Sequence, residues 1–237
     1  MKNIIFILLF AFGLHSCSDF LDTRAYDFVS PEDFFQNQND AQMALAGVYS
    51  AMATENVYGN RYSCMISNVD DLSFYVRPAT QTVTHVYGND HNTSNTDIYS
   101  AWSSLYKGIE SANILLERIE NTNMDETVKN RIKGEAKFLR AYYHFLVVQA
   151  WKDVPIRKES FKDVSKSALK PTPQAEALDW IIAEMEETIS MVDDEMYDDR
   201  PSYVKKTVVE GILARVCLTR AGYPTNGGKP YYEKDAT

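Results

Sequence analysis

The chain has 237 residues, 45% hydrophobic and 24% charged, which fits a soluble globular protein of one or two domains with enough apolar material for a core. Its formal net charge is -9 and its pI is near 5.0, which excludes nucleic acid as an expected partner and leaves cations or neutral molecules as the ligands its field would favour.

Met1 and Lys2 open a short basic segment, and Ile4 to Leu14 form an apolar run shorter than the roughly 20 helical residues that cross a bilayer. Residues 1–16 therefore read as a leader peptide. The run ends Leu14, His15, Ser16, Cys17, which resembles a bacterial lipobox, where a small residue precedes a cysteine that becomes the lipidated N-terminus. Cys17 is the expected lipid attachment site, fixing the protein to a membrane without spanning it. Beyond it only Cys64 and Cys217 remain, with no C-x-x-C or His-rich spacing, so no metal site is expected. Export would permit a disulfide between these two, but the expectation is two separate buried thiols, Cys217 within an apolar helical stripe.

Residues 17–38 read as an irregular lead with one helical turn, capped by Ser30 with Pro31 at the first helical position and Asp33 in the first turn. A first long helix is predicted from Asp40 to Thr54, facing inward through Ala41, Ala44, Leu45, Val48, Tyr49 and Met52. From Asn56 to Thr96 periodicity fails, with only short extended pieces at 73–76 and 82–86. Irregular connections longer than about 12 to 15 residues are usually functional or mobile, so this region is the candidate for ligand-facing loops.

A second helix is predicted from Asp97 to Glu120, with Trp102, Leu105, Tyr106, Ile109, Ala112, Leu116 and Ile119 on its apolar face and Asn113 among them. After a short turn, Asn123 or Asp125 caps a third helix. Its stripe is Val128, Ile132, Ala136, Leu139, Tyr143, Leu146, Val147 and Ala150, while Gly134, Ala136 and Ala141 keep it thin enough for another backbone to approach. A polar Ser- and Lys-rich connection, 157–170, leads to a fourth helix with Thr172 as N-cap and Pro173 at the first position. That helix faces inward through Leu178, Ile181, Ile182, Met185, Ile189 and Val192. The acidic cluster Asp193, Asp194, Glu195, Asp198 and Asp199 reads as a solvated loop. Behind Ser202 or Tyr203 a fifth helix carries Val208, Val209, Ile212, Leu213, Val216 and Cys217, and Tyr231 to Thr237 read as the first turn of another. Two helix pairs in series suit stacked tetratricopeptide-like repeats.

Chemistry is sparsely encoded. The chain has no G-x-S-x-G elbow, HExxH, P-loop or GxGxxG after a strand. Of the histidines that follow the leader, His85, His91 and His144, the last reads as packed within the third helix. Asp70 and Asp71 are a carboxylate pair, but adjacent residues are poorly placed to flank a scissile glycosidic bond. Sugar binding asks for less, because aromatic faces stack on the C–H face of a ring while amides and charged groups meet its hydroxyls. The 56–96 region supplies Tyr58, Tyr62, Asp71, Phe74, Tyr75, Arg77, Tyr87, Asn89, Asp90 and Asn92 for that purpose. Asp71, Tyr75, Arg77, Tyr87 and Asn92 are the expected ligand contacts, whereas Trp102, Trp151 and Trp180 read as core.

The segments CSDFLD at Cys17, GEAKFLRAYYHFL with WKDVPI from Gly134 to Ile156, and EGILARVCL from Glu210 resemble the signature of the RagB/SusD family of outer-membrane nutrient-binding lipoproteins. Lys152 stands where that family commonly has Gly. The resemblance implies an all-α, tetratricopeptide-like fold with long irregular loops. It also implies a surface-exposed, lipid-anchored outer-membrane protein that captures glycans or other nutrients and passes them to a TonB-dependent, SusC-like transporter, without cofactor or catalysis. Family members continue well past Thr237, so residues 39–237 are expected to be the N-terminal portion of a longer protein. The rival expectations are a helical-repeat scaffold for a protein partner and a lipid-anchored glycoside hydrolase.

Overall fold

The first helix starts where a polar cap meets the first apolar stripe. In the computed structural model, which describes residues 34–63, 72, 91–163, 168–195, 203–222, 225–226 and 229–230, helix α1 spans Gln38–Ser50. Asn37 Oδ1 accepts from the Asn39 and Asp40 N–H groups at 2.9 and 3.2 Å, and the Asp40 carboxylate accepts from the Asn37 N–H at 3.2 Å, which completes a capping box. Ala41, Leu45 and Val48 are buried, while Ala44, Tyr49 and Met52 are half-buried. The helix ends before Thr54. The chain turns instead into a π-helical turn, Glu55–Gly59, closed by the Gly59 N–H on the Thr54 carbonyl at 3.0 Å.

Helix α2, Thr96–Arg118, is capped by Asn95 Oδ1 and runs into a 3-10 turn, Ile119–Asn121. Leu105, Ile109, Ala112 and Ile119 are buried as their spacing predicts. Leu115 is buried in place of Leu116, because it continues the row of Gly108, Ala112 and Ile119 at helical spacing. Trp102 and Tyr106 are only half-buried.

Helix α3, Glu126–Trp151, takes its cap from Asp125, whose Oδ1 accepts from the Thr127 and Val128 N–H groups at 2.9 and 3.1 Å. The Asn123 N–H instead donates to the Gln36 carbonyl at 3.4 Å. Burial extends well beyond the predicted stripe: from Gly134 to Val148 every residue except Lys137 is buried. Helices α1, α2 and the next helix all pack against it. Gly108 of α2 faces the Tyr143 ring, and Gly134 faces Met191, a backbone approach of the kind the thin helix predicts. Lys152 ends α3 with φ 64°, a left-handed conformation in which Gly is the unstrained residue.

Helix α4, Gln174–Thr188, begins later than Thr172 would dictate. The Thr172 backbone is extended and pairs with Val154, N–H to carbonyl both ways at 2.9 and 3.2 Å, so its hydroxyl does not cap the helix. Asp153 Oδ1 accepts from the Gln174 N–H at 2.9 Å in its place. Helix α5, Lys206–Ala221, packs on α4. Val209 and Val216 are buried, but Val208 is 44% exposed, contrary to its predicted place in the core, and Leu218 is 68% exposed. α5 is thus covered on one side only. Strands β1, Thr225–Asn226, and β2, Lys229–Pro230, pair antiparallel behind it. All these elements belong to one compact unit, Phe35–Thr237, and the all-α expectation holds, with α2–α3 and α4–α5 as the helix pairs.

The acidic loop between α4 and α5 does more than solvate charge. Asp193 Oδ1 accepts from Arg131 at 2.8 Å, and Asp194 Oδ1 accepts from the Thr207 N–H at 2.9 Å, capping α5. Asp198 and Asp199 lie outside the described residues.

A Cβ added at Gly108 would lie 2.7 Å from the Tyr143 ring, in a buried contact where the ring has no room to give, whereas one at Gly47 or Gly211 would meet nothing within 4 Å. Gly→Ala gains about 1 kcal/mol of helix propensity in each case, and overpacking of a core typically costs about 1 to 3 kcal/mol. Urea unfolding is expected to show Gly47→Ala and Gly211→Ala more stable than wild type and Gly108→Ala less stable.

Candidate functional site

The connection from Pro155 to Lys162 is an ordered strap laid across α2 and α3, and the helices hold it by side chains. Asn113 Nδ2 donates to the Arg157 and Glu159 carbonyls at 3.3 and 3.0 Å. Arg140 Nη1 donates to the Lys158 carbonyl at 3.0 Å and to Asn113 Oδ1 at 2.9 Å, and its Nη2 pairs with Glu184. The Glu117 carboxylate accepts from the Ser160 N–H at 2.7 Å and hydroxyl at 2.8 Å, and Glu110 accepts from the Phe161 N–H at 2.8 Å. Burial works against the charge on Glu117, but the Ser160 N–H, Lys162 and the Ser160 hydroxyl outweigh it and hold its pKa below the usual carboxylate value.

His144 fixes the start of the strap. Its Nε2 accepts from the Arg157 N–H at 3.1 Å, which leaves Nδ1 protonated to donate to the Arg140 carbonyl at 2.9 Å. Complete burial, with Arg140 and Lys158 nearby, pushes its pKa down to about 3. The imidazole is neutral and structural, as its place in the helix predicts.

Around this point runs a continuous row of rings. Tyr58 contacts Tyr62, Tyr62 contacts Trp151, and Trp151 meets Trp102 edge-on at 5.1 Å. Trp102 lies 4.7 Å from Tyr106, and the row continues through His144 to Trp180. The three tryptophans are half-buried, so they line the edge of the core and do not fill it. Where Trp102 and Tyr106 reach the surface, the strap stands opposite them and encloses a groove of about 440 Å³ whose other walls include Lys107, Glu110, Arg157, Phe161 and Leu169. Tyr106 donates to the Pro155 carbonyl at 2.8 Å across its floor. Phe161 and Leu169 are 48% and 43% exposed. Aromatic faces beside charged groups are the combination that a sugar ring requires.

Of the residues predicted to meet ligand, Asp71, Tyr75, Arg77 and Tyr87 lie outside the described residues, and so do the predicted lipid attachment site Cys17 and Asp70, Phe74, Asn89, Asp90, Cys64 and His85. Asn92 is described and exposed. Its Oδ1 accepts from the Ser94 N–H at 2.9 Å, in the turn that leads to the Asn95 cap. Tyr62 is a packing residue, 2% exposed, with its hydroxyl on the Leu146 carbonyl at 2.7 Å. Tyr58 is 43% exposed and pairs with Tyr142 through the hydroxyls. Cys217 is a free, half-buried thiol. Among the described residues no group of three or more His, Cys, Asp or Glu could hold a metal ion, and no helix is long and apolar enough to cross a membrane.

The sequence reading missed the strap and its holders, Arg140, Glu117 and Glu110. One signal was available: Asn113 lies on an apolar helical face, where an amide needs a buried partner.

Residues 19–218 match the SusD-like family described as starch-binding and associating with the outer membrane. SusD-like protein P2 of Formosa agariphila is 28% identical over 223 residues, 93% of this chain and 43% of its own length. SusD-like protein P25 of the same organism is 28% identical over 170 residues, 67% of this chain and 32% of its own. Among solved structures, a SusD homolog from Bacteroides thetaiotaomicron aligns with a TM-score of 0.73 at 22% identity, covering 82% of this chain and 38% of that one. A laminarin binding SusD-like protein aligns with a TM-score of 0.71 at 23% identity, covering 79% and 41%. These two structures share the fold with this chain, which spans less than half the length of the curated relatives it matches.

The His144 geometry sets a pH dependence. The unfolded imidazole takes a proton below about pH 6.5, the folded one only near 3, so the contribution is complete above 6.5 and is lost as pH falls. Each pH unit in that window removes about 1.4 kcal/mol. Urea unfolding at pH 7, 5 and 4 is expected to show the gap between wild type and His144→Leu narrowing as the solution is acidified. A constant gap would contradict the neutral buried imidazole.

Proposed function

The chain belongs to the SusD-like family of starch-binding, outer-membrane-associating proteins, and from that premise we propose that it captures oligo- or polysaccharide at the cell surface and hands it to a TonB-dependent, SusC-like transporter. The observation that carries this reading is the family match over residues 19–218, and the groove of exposed aromatic and charged side chains supports it. Residues 1–16 are the leader, 17–38 the lipidated lead, and 39–237 the helical N-terminal portion of the binding domain. Cys17 carries the lipid that anchors the protein in the outer membrane. The loops between Asn56 and Thr96 meet the glycan through Asp71, Tyr75, Arg77, Tyr87 and Asn92. The protein binds and does not cleave: the one carboxylate pair that suggests hydrolysis, Asp70 and Asp71, is adjacent in the chain and poorly placed to flank a scissile bond.

Native gels cast with soluble starch, laminarin and other polysaccharides are expected to retard the chain, and the same mixtures are expected to yield no new reducing ends. New reducing ends would turn the reading to a hydrolase, and absence of retardation on every glycan would turn it to a protein-binding scaffold. Replacing Tyr75, Arg77 and Tyr87 together with Ala is expected to weaken retention at least tenfold, and Cys17→Ala protein is expected to leave the outer-membrane fraction.

A further inference from the structure

A plain connector between two helices needs few side-chain ties, yet the strap from Pro155 to Lys162 is held by Asn113, Glu117, Arg140 and His144, with Glu110 on the Phe161 N–H. Asn113, Arg140 and His144 are buried. This investment fixes Phe161 in place while leaving its ring 48% exposed, with the Arg157 guanidinium 6.0 Å from the ring centre. On the facing wall Trp102 is locked between Tyr106 and Trp151. Neither the Trp102 indole N–H nor the Lys107 ammonium has a hydrogen-bonding or ionic partner among the described residues. The groove between the walls, about 440 Å³, falls within the roughly 300 to 1,000 Å³ of small-ligand sites.

We propose that this groove is a carbohydrate-binding subsite separate from the 56–96 loops, holding a sugar ring against Trp102 and Phe161 with its hydroxyls meeting Lys107, Glu110 and the Trp102 indole N–H. The inference rests on the glycan-capture reading and adds a second place on the chain where a polysaccharide is gripped. An extended peptide is the poorer occupant. Strand addition needs an unbroken run of free backbone groups, and the strap does not offer one: the Arg157, Lys158 and Glu159 carbonyls and the Arg157, Ser160 and Phe161 N–H groups are bonded to helix side chains. Recognition is left to side chains, and aromatic faces with a few charged groups suit a ring bearing hydroxyls. Because the walls are preassembled, binding orders little that was free, which favours affinity from a small contact.

The test uses the full chain, with soluble starch and laminarin as probes in affinity gels and hydrogen exchange measured over residues 155–163 with and without glycan. Phe161→Ala and Lys107→Ala alter exposed side chains and leave the strap's backbone bonds intact, and Tyr99→Ala, 70% exposed on α2, is the control. Each groove variant is expected to weaken retention roughly three- to tenfold, the double variant more, the control not at all, with glycan slowing exchange in the strap of the wild type. Retention unchanged in the double variant while the wild type still binds would overturn the subsite and leave glycan capture standing. A wild type retained by no glycan would remove both.

Discussion

Helix α3 is enclosed by its neighbours along most of its length, so each charged group that it buries must find a partner inside the protein. Breaking a buried ion pair by removing one partner costs about 3 to 5 kcal/mol, which turns each such residue into a tie between elements. Arg140 joins α2 through Asn113, α4 through Glu184 and the strap through the Lys158 carbonyl. Glu135 accepts from the Tyr49 hydroxyl of α1 at 2.5 Å and lies 3.4 Å from Arg131, which reaches on to Asp193. The same Tyr49 hydroxyl accepts from the Val204 N–H at 2.9 Å, bringing in the entry to α5. Burial raises the pKa of Glu135 against the hydrogen bond from Tyr49 and the charge of Arg131. The apolar stripe makes the bundle compact, and these few polar groups decide which helix lies against which.

The aromatic row connects that interior to the surface. Rings from Tyr58 to Trp180 touch in sequence across α2, α3 and α4, and its outward edge at Trp102 and Tyr106 is the wall of the groove. A ligand seated there would rest on side chains packed from behind, so the binding surface inherits the rigidity of the core.

Helix existence was legible because amphipathic periodicity is local. The enclosure of α3 on nearly all sides between Gly134 and Val148 was not, since Arg131, Glu135 and Arg140 look like a solvent face until their distant partners are known. The same limit explains the start of α4. Thr172 and Pro173 form a plausible cap in sequence, but the acceptor is Asp153, 21 residues away. The strap was read as a polar linker because its composition is that of a linker, and its order comes from Asn113, Glu117 and Arg140 on other elements. Within the 56–96 region composition named aromatic residues without telling a packed ring from an exposed one: Tyr62 is core and Tyr58 is surface.

The pairing of Val154 with Thr172, with Asp153 on the first amide of α4 beside it, pinches the chain between α3 and α4 into a neck. Everything between Pro155 and Pro171 is an excursion whose two ends are already fastened together. Closure entropy grows only logarithmically with the length of such an excursion, about 0.6 kcal/mol per doubling. Residues can therefore be inserted or deleted between Lys162 and the neck at small cost, while the tied stretch before them stays in place on Asn113, Arg140 and His144, so that one scaffold can carry a wall of different reach.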